Sequence, residues 1–181
     1  MPGPITIKLD EQQPWFQYLT PDQKALVRQS FVLLNRERTN RQPAFTDYSF
    51  VIFPLAKAYE GFIKKFLFDL DIIGQAAYES DHFRIGKSLN PDLSPRYRDP
   101  DWVVDRLDRL CGTIKSQSYS QLLWQTWKAC RNQLFHYFPH HQRSLSLKEA
   151  EDRLGQLIQT MEITLNCPAF TRVTSSDTIQ P

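Results

Sequence analysis

The sequence predicts an all-α fold, a bundle of about five helices, and three observations carry that prediction. Apolar residues recur at spacings of three and four along most of the chain, the period of a helix with one face turned inward. Two segments open on capping boxes, Thr20-Pro21-Asp22-Gln23 and Ser146 with Glu149, in which each side chain satisfies an orphan amide of the other. Apolar-polar alternation, the mark of a half-buried strand, is confined to Ile5-Thr6-Ile7-Lys8-Leu9 near the N-terminus.

The first helix starts at Thr20, with Pro21 suited to the first helical position and Val27, Phe31 and Leu34 on the inner face. A polar segment, Arg36 to Gln42, precedes a second helix that begins near Asp47 or Pro54 and runs to Leu70. Its stripe is Leu55, Tyr59, Phe62, Phe66 and Leu70. Asn90-Pro91, Ser94-Pro95 and Asp99-Pro100 then mark Gly86 to Pro100 as a loop, because proline removes a donor and clashes inside a helix. The third helix is expected from Asp99 and Pro100, with Val103, Leu107 and Leu110 inward. A fourth runs from Tyr119 to Phe138 through Leu123, Trp127, Cys130 and Leu134, and Pro139 ends it. The fifth starts at Ser146 and buries Ala150, Leu154, Leu157, Met161 and Leu165.

A chain of 181 residues that is 41% hydrophobic can build one domain with a real core, which excludes a disordered chain or a fibre. The most apolar stretch, Phe50 to Phe68, is broken by Pro54, Lys57, Glu60, Lys64 and Lys65, so no membrane span is expected. Met1-Pro2-Gly3-Pro4 lacks the basic and apolar blocks of a signal peptide, and a cytoplasmic location is expected. Cys111, Cys130 and Cys167 are odd in number and widely spaced, and read as small reduced core residues. His140 and His141 are adjacent in a loop and make a poor metal site; no metal or cofactor is expected. Net charge is only +2, from 22 basic and 20 acidic residues. Its distribution is uneven: no acid lies between Asp108 and Glu149, where Arg109, Lys115, Lys128, Arg131, Arg143 and Lys148 fall.

No glycine-rich phosphate loop, HExxH, GxSxG or EF-hand pattern occurs. What remains is Arg131-Asn132-Gln133-Leu134-Phe135-His136 at the end of the fourth helix. Histidine titrates near neutrality and can take a proton from a ribose 2′-hydroxyl, while the planar guanidinium stabilises charge developing on a phosphate. On an ideal helix Asn132 and His136 share a face, and Arg131 lies about 140° from His136. The same residues also read as a polar helix end, with Arg131 paired to a carboxylate of a neighbouring helix and His136 capping carbonyls.

Arg131-Asn132-x-x-x-His136 resembles the R-N-x-x-x-H motif of the HEPN superfamily, all-α domains many of which are metal-independent ribonucleases. Tyr48 to Leu67, Phe83 to Leu93 and Leu123 to Pro139 are similar, in the same order, to blocks of the C-terminal domain of RnlA/LsoA-type toxins. The resemblance implies a HEPN-like helical domain over residues 46–170, preceded by an arm and first helix at 1–45 packed on it and followed by a mobile tail at 171–181. It implies a homodimer in which two motifs face one RNA cleft, with His136 as general base or acid, Arg131 stabilising phosphate and Asn132 orienting the pair. Glu60 matches a polar residue that such domains place at the site. Lys57, Lys128 and Tyr137 are the expected RNA contacts. Lys57, Glu60 and Lys64 read equally as a solvated charge ladder along one helix. The activity implied is that of an endoribonuclease, a toxin of a toxin–antitoxin or anti-phage system with a cognate antitoxin protein. The other reading is a non-catalytic helical module that binds RNA, a nucleotide or a protein partner.

Overall fold

The computed structural model describes residues 7–40, 44–136, 139 and 143–176, the last four without their side chains. Among them α1 (Pro14–Tyr18) leads into α2 (Pro21–Thr39), which carries its capping box as expected: Thr20 Oγ1 accepts from Gln23 N at 3.4 Å and Gln23 Oε1 from Thr20 N at 3.1 Å. The central element is α3 (Ser49–Asp69), packed between α2 and α8 (Leu147–Leu165). The predicted stripe of Leu55, Tyr59, Phe62 and Phe66 is fully buried, and so are Val51, Ala58, Ile63 and Leu67 from other sides of the helix. Each large side chain removed from water in this way contributes about 1.5–3 kcal/mol.

Pro54 lies inside α3 instead of starting it. A proline at the sixth helical position must disturb the preceding turn, and the backbone there is completed from outside: the buried Leu55 N–H donates to Ser30 Oγ of α2 at 2.9 Å. The helix begins earlier because Asp47 organises its entry. Its carboxylate accepts from Ser49 N (2.9 Å), Ser49 Oγ (2.7 Å) and Leu145 N (3.1 Å), tying the start of α3 to the approach of α8.

The segment after α3 holds α4 (Gln75–Glu79), α5 (Ile85–Ser88) and a 3₁₀ turn at Pro95–Tyr97, so part of the expected loop is helical. The third predicted helix, α6 (Val104–Cys111), starts later than Asp99. Asp99 instead closes a turn, its side chain accepting from Asp101 N at 3.1 Å and its carbonyl from Trp102 N at 2.9 Å. A small hairpin, β1 (Thr113–Ile114) antiparallel to β2 (Gln117–Ser118), reverses the chain through Lys115 and Ser116, both at positive φ. Ser118 caps the next helix, α7 (Tyr119–Trp127).

Three further expectations are corrected. The alternating segment forms no strand over its described residues 7–9; Ile7 N donates to Glu151 Oε1 at 3.0 Å, and Arg38 joins the same carboxylate at 2.6 Å. Of the tail expected over 171–181, residues 171–176 are helical as part of α9 (Pro168–Ser176), and 177–181 fall outside the described residues. Cys111 and Cys167 are not free thiols but form a disulfide, because α9 packs on α6 and brings two cysteines 56 residues apart to a Cα separation of 4.9 Å. Among the described residues no helix is long and apolar enough to cross a membrane.

Candidate functional site

The predicted fourth helix does not continue in α form to Phe138. After Trp127 it widens into a π-turn over Lys128–Asn132, in which Gln133 N reaches Lys128 O at 2.9 Å, and it closes with Leu134 N and Phe135 N both donating to Arg131 O at 3.2 Å. Nothing between Tyr119 and Phe138 is glycine or proline, so no residue in the sequence announces the change. Its consequence is positional. The π-turn closes between Lys128 and Gln133, and from Arg131 onward the chain leaves the helix through tighter turns, so the ideal-helix angle between Arg131 and His136 no longer applies. Arg131, Asn132 and His136 all line one cavity of about 770 Å³.

Cys130 anchors the turn. Its side chain is fully buried and contacts Gln156 Oε1 at 3.5 Å and Arg153 O at 3.8 Å on α8. Burial pushes the thiol up to about 12, against a smaller downward pull from Arg153, so it is a packed neutral group.

From α3, Glu60 reaches the same cavity. Its Oε1 stands 3.0 Å from Arg131 Nε in an ion pair and accepts from Trp127 Nε1 at 2.8 Å. Glu60 is therefore the carboxylate of a neighbouring helix that the polar-helix-end reading expects for Arg131, and it lies beside the motif. The Arg131 guanidinium also lies 5.8 Å from the centroid of Trp127, whose ring stacks on Trp124 at 5.2 Å and 16°.

The opposite wall comes from the segment around α5. Gly86 is there because nothing larger fits: a Cβ on it would stand 2.5 Å from the Trp127 ring. Phe83, Arg84, Lys87 and, from α3, Lys64 complete the lining. Lys64 Nζ donates to Ser80 O at 2.7 Å and lies 5.9 Å from the Phe83 centroid, and Lys87 is paired with Asp99. The cavity wall thus carries Lys64, Arg84, Lys87 and Arg131 against one carboxylate, Glu60, which is itself engaged. His136 is exposed at this surface.

Lys57 and Lys128 are exposed and lie outside the cavity lining, so neither joins Glu60 and Arg131 there; Tyr137, His140 and His141 fall outside the described residues. Lys64 and Phe83 are lining residues that carried no expected site role. The block Phe83 to Leu93 was the available signal, since its glycine lies close to an aromatic only if the block packs on the motif helix. Among the described residues no group of three His, Cys, Asp or Glu is placed to hold a metal ion.

No protein-family model, curated protein or solved structure matches the chain. Fold and site together define an all-α protein with an open, basic, aromatic-lined cavity built on a π-turn.

Proposed function

We propose that the protein is a metal-independent endoribonuclease of HEPN type, acting as a homodimer on RNA. The observation that carries this reading is the convergence of Arg131, Asn132 and His136 on one open cavity, with Glu60 holding the guanidinium from a second helix. In this scheme His136 takes the proton of a ribose 2′-hydroxyl, the resulting oxyanion attacks the adjacent phosphorus, and the bond to the 5′-oxygen breaks as that oxygen is protonated. The products are a 2′,3′-cyclic phosphate and a 5′-hydroxyl end. Arg131 and Asn132 bind the phosphoryl oxygens as charge builds. Glu60 positions Arg131 and keeps its plane fixed.

One histidine serves as base, and the acid comes from the motif of a second copy, which is the role of the dimer. An exposed aromatic patch supports that pairing. Phe45, Phe50 and Phe53 are 54%, 36% and 48% exposed, and Phe53 packs edge-on against Phe135, the residue before His136. The setting that fits is a toxin of a toxin–antitoxin or anti-phage system in the cytoplasm, restrained by a cognate antitoxin. The chemistry is tested with an RNA carrying a 2′-deoxy sugar at the scissile nucleotide. The scheme predicts that this RNA resists cleavage and that the unmodified one yields cyclic phosphate ends by mass spectrometry. Cleavage of both to 5′-phosphate ends would contradict it.

A further inference from the structure

The proposed reaction needs Arg131 and His136 at a phosphodiester, yet the cavity extends beyond them to Trp124, Phe83 and the basic groups of α3 and α5. Trp127 is nearly buried and has its N–H, one face and one edge committed to Glu60, Trp124 and Gly86. Trp124 is only partly buried, and its indole is held flat against Trp127. A rigid aromatic surface of this kind, beside cations and with Glu60, the carboxylate of the lining, already engaged, suits an unpaired base and the backbone phosphate attached to it. The cavity volume of about 770 Å³ is in the range of sites that enclose a ligand of nucleotide size.

We infer that this cavity is a nucleotide subsite for single-stranded RNA: one unpaired base packs against Trp124 and Phe83, its phosphate is met by Lys64 and Arg84, and the neighbouring phosphodiester lies at Arg131 and His136. The inference rests on the ribonuclease reading for its choice of ligand and adds a substrate requirement. A base inside a duplex is stacked on its neighbours and cannot enter, so the enzyme selects unpaired segments.

The test is a fluorescence-anisotropy titration of the full-length protein with a fluorescein-labelled 2′-O-methyl RNA, single-stranded or annealed to its complement, which cannot be cleaved through the 2′-oxygen. The single strand is expected to bind at least about tenfold more tightly than the duplex. Trp124→Ala weakens single-strand binding by about tenfold or more, Trp124→Phe restores most of it, and Lys64→Gln with Arg84→Gln lowers its salt dependence. Equal affinity for single strand and duplex, or binding unchanged by Trp124→Ala in a protein whose circular dichroism is native, would overturn the subsite. The two readings fail separately. A protein that cleaves RNA while ignoring Trp124 loses the subsite and keeps the ribonuclease; one that shows the Trp124 effect and never cleaves keeps the subsite and loses the ribonuclease.

Discussion

The chemistry of the site depends on single side chains whose freedom has been removed. Glu60 makes two contacts with one oxygen, so the positions of Trp127 and Arg131 are coupled: moving the indole moves the guanidinium's anchor. Gly86 controls that indole from the other side. Gly86→Ala sets a methyl group 2.5 Å from a ring that is stacked and hydrogen-bonded and has little room to yield. The expected cost is about 1–3 kcal/mol of stability, read from urea denaturation, together with a loss of cleavage rate larger than the fraction of unfolded protein explains. Unchanged stability and rate would mean that the Trp127 ring is free to move. Part of this scale was visible in the sequence: residue chemistry drew notice to Arg131, Asn132 and His136, and the resemblance to HEPN domains added Glu60. Lys57 and Lys128 lie outside the cavity lining, because proximity along a helix does not say which wall of a cavity a side chain faces.

Helix starts were legible where a side chain does the capping and obscure where the tertiary fold does. Thr20 and Ser146 cap as their motifs require, whereas α3 starts before its proline because Ser30, 25 residues away, takes the Leu55 amide. The π-turn was hidden for a similar reason: Lys128–Asn132 looks like ordinary helix by composition, and the widening is a property of how Cys130 packs on α8. Asp47 gives the joint between α3 and α8 a pH dependence. Burial pushes its carboxyl up, but the hydrogen bonds from Leu145 and Ser49 outweigh that and hold it below the ordinary 3.8. A depressed folded value stabilises the fold fully above the ordinary one, and that contribution is lost as pH falls below 3.8 toward the folded value. Asp47→Asn should therefore lower stability by about 1 kcal/mol near neutrality, a figure discounted for partial solvent exposure. The gap between variant and wild type should narrow as pH falls below 3.8 toward the depressed folded value, as followed by urea midpoints. A gap independent of pH would remove the carboxylate from this role.

At the scale of the molecule, the all-α class followed from periodicity, and the connections did not. The disulfide was invisible because the packing of α9 on α6, not the spacing of cysteines, brings Cys111 to Cys167. The near-balanced charge also changes meaning on folding: Lys64 and Arg84 come from segments distant from Arg131 in the chain, and folding gathers them on one cavity wall. A basic cavity that opens beside His136 is the ground for the central claim, metal-independent cleavage of RNA by this motif. The direct measurement is cleavage of a single-stranded RNA by purified wild type and His136→Ala in parallel, in excess EDTA, with circular dichroism and sedimentation showing that the variant keeps its fold and oligomeric state. The account predicts that wild type cleaves under these conditions and that His136→Ala loses at least about a hundredfold in rate, the usual contribution of a general base. Equal cleavage by both proteins, or none by wild type, would contradict it.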